Sequence, residues 1–222
     1  MKHGAVMMKR LACALGAAMV LTGALTACVP LVVGGAVAGG SLLAIDRRTS
    51  GAQLEDEGIE LRATSRIRGN FGDRVHVNLT SYNRQVLLTG EVPSAQDKQQ
   101  IEQLVAGVEN VVSVVNELAV AGQTSLSQRS NDTFVTGRVK AMLLDARDLQ
   151  SNAFKVVTER GTVYLMGRVT QREADRATQV VRATPGVQKV VRVFEVITEQ
   201  ELARMAPPDT RTQPAPARPA SN

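Results

Sequence analysis

The 222-residue chain is short of the residues that carry most enzyme chemistry: two Cys, two His, no Trp and 3% aromatics in all. Zinc sites draw three or four ligands from clustered His, Cys and carboxylates. A Ser–His–Asp or Cys–His arrangement needs a His held in a folded site. Neither has the material here. His76 stands between Val75 and Val77 and reads as a side chain on a strand face, with no partner His or Cys to make it a catalyst or ligand. Asp145 and Asp148 form no convincing carboxylate pair, because nothing around them in the sequence would activate them. No catalytic residue and no metal site is expected, and the chain reads as a non-enzyme.

The composition averages unlike segments. Residues 1–27 hold Lys2, Lys9 and Arg10 and no acid, followed by an apolar run from Leu11 to Leu25. A basic start, a short apolar stretch and small residues at its end describe a secretory signal. Met7 and Met8 are alternative starts, since Met8-Lys9-Arg10 directly precedes the run. The run closes on Leu25-Thr26-Ala27-Cys28, which resembles the bacterial lipobox. That resemblance implies cleavage before Cys28, with diacylglycerol and an N-acyl chain such as palmitate on Cys28, and no other cofactor. Val29 is not an Asp, so sorting to the outer membrane is the expectation that goes with it. Cleavage leaves 195 residues with no free thiol, so no internal disulfide forms. Three surplus positive charges leave with the leader, and the formal charge falls from +5 to +2.

Residues 28–52 read as a lipidated Cys and a Gly-rich apolar tether, Val29 to Gly40 being small and apolar. No Lys-Ser or Lys-Thr follows the glycines, so this is not a phosphate loop. At the other end, five of the eight prolines fall between Pro207 and Pro219. Residues 202–222 read as a disordered Pro-rich tail, too poor in apolar surface to offset its ordering entropy.

The segment between tether and tail repeats itself. Val86-Leu-Leu-Thr-Gly90-Glu-Val92 matches Val163-Tyr-Leu-Met-Gly167-Arg-Val169. Val108 to Asn116 matches Thr184 to Arg192, and Asp56, Ile59, Ala63 and Ile67 match Asp132, Val135, Val139 and Leu143. The offset is 76 or 77 throughout. Two copies are too few for a solenoid, which needs about three or more, so the reading is two tandem domains, residues 53–122 and 131–201, joined by a linker at 123–130.

Each copy has the same order. A helix comes first; Val135, Val139, Met142 and Leu143 share a face at helical spacing, and Asp132 is placed to cap its start. Two alternating strands follow, turned by Tyr82-Asn83-Arg84 in one copy and Glu159-Arg160-Gly161 in the other. Asn83 tolerates positive φ. A second helix opens with Ser94-Ala-Gln-Asp97 or Thr170-Gln-Arg-Glu173, the latter a capping box. Its buried stripe is Ile101, Leu104, Val105 and Val108, or Ala174, Ala177 and Val181. Pro185-Gly186 ends the helix in the second copy, and Asn110 takes the place of Gly186 in the first. A last strand spans Val111 to Val120, or Val187 to Ile197, and returns parallel by the crossover. The fold class is α+β, each unit a small three-stranded mixed sheet packed against two helices in the order αββαβ.

These motifs resemble the BON domain, whose signature is V-x-L-x-G-x-V, an amphipathic helix, and V-x-G-V-x-x-V-x-N. Met166 and Arg192 are departures that sit beside the buried alternation. Two such units behind a lipobox resemble the dual-BON outer-membrane lipoproteins of the DolP (YraP) family, and Ser130 to Thr136 looks especially like the start of that family's second domain. The resemblance implies a protein on the periplasmic side of the outer membrane that binds anionic phospholipid and supports membrane integrity. It implies an interface on the first helix of the second unit, formed by Thr133, Phe134, Arg138 and Ala141. The family pattern has Trp where Phe134 stands, which implies weaker anchoring at the headgroup boundary.

Charge points the same way without the family. Residues 55–122 carry a net −4 and residues 130–200 a net +3, so anionic lipid should prefer the second unit. Nucleic-acid binding is excluded by the exported reading, and much of the surplus charge sits in the leader. The sequons at Asn78 and Asn131 are coincidental in a chain with a bacterial lipobox. The alternative is a structural adaptor that binds envelope-assembly or cell-wall proteins through its BON domains, with a strand edge or the tail as the docking element.

Overall fold

The computed structural model describes residues 46–205. The signal segment, Cys28 and most of the tether, along with the tail from 206 onward, lie outside the described residues.

The first unit begins with α1, Ser50–Phe71, capped by the Thr49 hydroxyl, which accepts the Ala52 N–H at 3.1 Å. Asp56, Ile59, Ala63, Ile67 and Phe71 recur every three or four residues and form its buried face. Strands β1, His76–Tyr82, and β2, Gln85–Val92, pair antiparallel around the two-residue turn Asn83-Arg84. Both turn residues have positive φ, 50° and 68°, as a tight hairpin matched to strand twist requires. Helix α2, Ala95–Ala106, starts at Ser94, whose hydroxyl accepts the Asp97 N–H. The chain then returns parallel to β2 as β3, Ser113–Asn116, and β4, Ala119–Val120. The expected single strand from Val111 to Val120 is therefore shorter and broken. The Asn116 carbonyl oxygen of the side chain accepts the Leu118 N–H, and Leu118 turns into the core.

The second unit repeats this order: α3, Leu126–Asp145; β5, Lys155–Glu159; β6, Thr162–Thr170; α4, Gln171–Arg182; β7, Lys189–Ile197. Strand β6 is central, antiparallel to β5 and parallel to β7. The Thr170–Glu173 capping box is formed in both directions. A short helix, α5, Glu199–Met205, follows, so residues 202–205 of the expected tail are helical.

Helix α3 starts seven residues before the expected position. Ser125 is its cap, and residues 126–130 of the expected linker are its first turns. Asp132 is therefore inside the helix and does not cap it. It is buried, and its carboxylate accepts the N–H groups of Arg160 (2.8 Å) and Gly161 (2.9 Å) at the β5–β6 turn. Asp56 does the same for Asn83 and Arg84, both at 2.7 Å. Each first helix thus carries a buried acid that fastens its own hairpin turn. Met142 is the other departure: it is 41% exposed, because it lies at the edge of the stripe that Val135, Val139 and Leu143 bury.

The glycine of each V-x-L-x-G-x-V segment marks a close strand approach. Gly90 has φ 111°, and a Cβ there would run into the His76 carbonyl oxygen; one at Gly167 would meet the Ala153 carbonyl oxygen.

Each sheet packs one face on its two helices. A third core cluster joins Tyr82 and Leu87 of the first unit to Tyr164, Met166 and Val193 of the second. The β2 strand is buried almost throughout, on both faces. Burial of a side chain such as Leu87 or Met166 contributes about 1.5–3 kcal/mol, so the two units hold each other as well as themselves.

Candidate functional site

Helix α3 presents two faces. Inward go Asp132, Val135, Val139 and Leu143. Outward go Leu126, 80% exposed, Phe134, 58%, and Leu144, 70%, with exposed Thr133, Gly137, Lys140 and Ala141 between them. At 3.6 residues per turn these positions fall on one side of a 20-residue helix about 30 Å long. Asp132 is the sole acid from Leu126 to Leu144, and it is turned into the core. From Leu126 to Leu144 the outward face is therefore apolar and cationic, and the exposed carboxylate of Asp145 follows at the helix's last residue.

Of the four expected interface residues, Phe134 and Arg138 are brought into direct contact. The Arg138 guanidinium carbon lies 4.2 Å from the Phe134 ring centroid, a cation–π distance. Arg138 also donates to the Pro185 carbonyl at 3.4 Å, which steadies it against the end of α4. Ala141 shares the exposed face. Thr133 is exposed, but its hydroxyl donates back to the Arg129 carbonyl at 3.0 Å. Lys140, Leu126 and Leu144 belong to the same face and were not singled out from the sequence. The signal was available: they follow Phe134's side of the helix at 3.6 spacing, but the late helix start hid Leu126.

His76 does lie on a strand, but it is not alone. Its Nδ1 is 2.9 Å from Glu91 Oε2, and Glu91, fully buried, also accepts the Thr124 hydroxyl at 2.9 Å. Glu159 of the second unit comes within the same group, held by the Asn78 amide at 2.8 Å. Ligand-type atoms of His76, Glu91 and Glu159 all lie within 4.8 Å of one another. Burial pushes the Glu159 carboxyl up, and the Glu91 charge adds to that against the Asn78 hydrogen bond. Burial acts on Glu91 too, but the hydrogen bonds from His76 and Thr124 outweigh it and hold its pKa below the usual range. The three side chains form a polar connection between the units. Asp148 is engaged by Arg176 at 2.7 Å.

A second connection runs from the start of the folded part to the second unit. Arg47 is buried and donates to both carboxylate oxygens of Glu173, each at 2.7 Å, and to the Arg168 carbonyl at 2.9 Å. Arg48 pairs instead with Asp46 and Asp56 of the first unit, and its guanidinium lies 4.3 Å from the Tyr82 ring centroid. Nothing in the sequence marks Arg47, since its partner is 126 residues away.

Among the described residues no helix is long and apolar enough to cross a membrane. The family model of the BON domain matches twice, at residues 56–122 and 131–198. The outer membrane lipoprotein DolP of Haemophilus influenzae is 37% identical over 193 residues, covering 86% of this chain and 97% of that protein. The 21 kDa hemolysin of Actinobacillus pleuropneumoniae is 31% identical over 155 residues, 69% of this chain and 80% of its own. The osmotically-inducible protein Y of Escherichia coli is 31% identical over 135 residues, 57% of this chain and 67% of its own. A doubled BON match over most of the folded part, with a DolP relative aligned almost end to end, places the chain in the dual BON-domain DolP family of outer-membrane lipoproteins.

Proposed function

We propose that the protein is anchored through lipid on Cys28 to the outer membrane, faces the periplasm, and binds anionic phospholipid through α3 of its second BON unit. In this reading it supports outer-membrane integrity as a binding protein, not as a catalyst, with no cofactor beyond the acyl chains on Cys28. The observation that carries it is the outward face of α3: Leu126, Phe134 and Leu144 exposed, Arg138 stacked on Phe134 and Lys140 beside them, with Asp132 turned into the core and the exposed Asp145 confined to the last residue of the helix. A helix with that face lies in the headgroup plane, its apolar side chains at the acyl boundary and its cations at the phosphates. Each nearby Lys or Arg adds about 1 kcal/mol of attraction to an anionic surface.

The test is flotation of the chain without its signal segment, as the Cys28→Ala form, with vesicles of phosphatidylglycerol and with vesicles of phosphatidylcholine alone. Binding to the first is expected to exceed binding to the second, and Phe134→Glu is expected to reduce it about tenfold or more by removing the wedge and repelling phosphate. Equal binding to both vesicles, or indifference to Phe134→Glu, would refute the interface. In cells, Cys28→Ala is expected to release the protein from the membrane fraction.

The adaptor reading retains one observation of its own. In the first unit a groove of about 790 Å³ runs between α1 and β1, lined by Leu61 and Leu79 with Glu57 and Arg68 nearby. Capture of an envelope protein that depends on Leu61, together with absence of vesicle binding, would favour it.

A further inference from the structure

The Asp46-Arg47-Arg48 segment joins the tether to the folded part, and its two arginines grip different units. Arg48 belongs to the first unit by its pairs with Asp56 and with Asp46 and by its stacking on Tyr82. Arg47 crosses to the second. Its guanidinium, 3% exposed, meets the Glu173 carboxylate, 4% exposed, in a two-pronged pair, and the Arg168 carbonyl and Gln150 side chain, at 2.9 and 3.2 Å, take further N–H groups. Glu173 is itself fixed by the capping box of α4, where it accepts the Thr170 N–H at 3.0 Å. A planar guanidinium held by a carboxylate and two further oxygens has little freedom to move.

The place of this grip matters. Asp46 and Arg48 line the same cleft as Lys140 and Leu144 of α3. The chain therefore enters the folded part beside the C-terminal half of the helix whose outer face is the proposed lipid interface. Seventeen residues separate Cys28 from Asp46. Such a stretch can reach up to roughly 60 Å, and a folded part of this size has a radius of gyration of about 15 Å. The tether alone would let any face turn to the bilayer. A fixed exit point beside α3 removes most of that freedom.

We infer that Arg47 is a positioning residue: by bolting the end of the tether to Glu173, it makes the anchored chain present α3 of the second unit to the bilayer from which the tether comes. The inference rests on the lipid-binding reading of α3. Its physical basis is effective concentration. An anchor attached next to the binding face raises the local concentration of that face at the membrane, and one attached through a loose joint does so less.

The chain has no Trp, so Phe134→Trp supplies a single reporter. The full lipidated chain carrying it is reconstituted into phosphatidylglycerol vesicles that contain a bromine-labelled phospholipid, and quenching of the indole is measured. With Arg47 intact the indole is expected to be quenched. Adding Arg47→Ala is expected to lower the quenching about twofold in the lipidated chain. The same change is expected to leave quenching unaltered in the Cys28→Ala chain, where no tether pulls. Glu173→Gln, which keeps the side-chain shape, should reproduce the effect. Arg47→Lys, which keeps a cation facing Glu173, should retain most of the quenching, and Glu173→Gln covers the case in which Arg47→Ala alone fails to fold. Equal quenching of the lipidated chain with and without Arg47 would overturn the inference and leave the lipid reading standing. Equal loss in the lipidated and Cys28→Ala chains would overturn it too, by showing a general effect on the fold. An indole unquenched in every form would sink the lipid reading and this inference together.

Discussion

The Asp132 carboxylate receives the N–H of Gly161 at 2.9 Å, linking the second turn of α3 to the β5–β6 hairpin 29 residues later. With the Arg160 N–H on its other oxygen, it satisfies two backbone donors of the turn at once, the Gly161 one buried. Replacing Asp132 by Ala is expected to destabilise the fold by about 2–4 kcal/mol, since both donors lose a charged acceptor. Asp132→Asn should cost less, as one acceptor oxygen remains. Chemical denaturation followed by circular dichroism measures both. A loss below about 0.5 kcal/mol for Asp132→Ala would contradict the role.

Gly90 sits where the strand passes against the His76 carbonyl, with φ 111°. A methyl group there has nowhere to go, because the neighbour is backbone. Gly90→Ala is expected to lower stability by about 2–3 kcal/mol, with a clear fall in melting temperature. A melting temperature unchanged from wild type would show that β1 can shift away.

Glu159 gives a pH prediction of unusual sign. Burial raises its folded-state pKa above the ordinary 4.5, and the neighbouring charges of Glu91 and Asp132 act in the same direction against His76 and Asn78. The folded protein therefore keeps a proton that the unfolded chain releases, and stability falls as pH rises from about 4.5 through the raised value. Glu159→Gln keeps the Asn78 hydrogen bond and removes the titration. Its melting temperature is expected to exceed that of wild type at neutral pH, with the difference shrinking toward pH 4.5. A difference that does not vary with pH would refute this. Asp56 and Glu91 act oppositely. Burial raises both, but the hydrogen bonds to each outweigh it and lower the pKa, so their contributions are present above the ordinary values and are lost as pH falls below them.

Phe134→Trp is expected to strengthen binding to phosphatidylglycerol vesicles about threefold, because the indole places an N–H at the headgroup level while its rings stay apolar. Flotation with increasing lipid measures the shift. Weaker binding would mean that this side chain does not reach the interface.

Much of the architecture was legible because it rests on local physics. The hairpin turns, the Thr170–Glu173 capping box, the left-handed Asn110 (φ 67°) and the buried stripes of α2 and α4 all depend on residues within a few positions of one another. The doubled V-x-L-x-G-x-V segment disclosed the repeat, and the glycine in it reports a strand crossing that no side chain would tolerate. Phe134 and Arg138 were found for the same reason: an i to i+4 spacing on a helix is enough to bring them together.

What failed was whatever depended on distance along the chain. Asp132 looked like a cap because the acid and turn residues were local and correct in type, but Ser125 caps the helix and the acid serves a turn in another element. His76 looked solitary because Glu91 and Glu159 join it through strand pairing and through the other unit. The amino-acid sequence by itself determined two αββαβ units, their order and an apolar and basic helix face, since each follows from periodicity, turn chemistry or charge within one segment. Only the tertiary structure decided that the sheets share a third core, that Glu159 is pressed against Glu91, and that Arg47 closes on Glu173. Those contacts arise when two separately encoded surfaces desolvate each other, and no pattern along one segment records which partner it will meet.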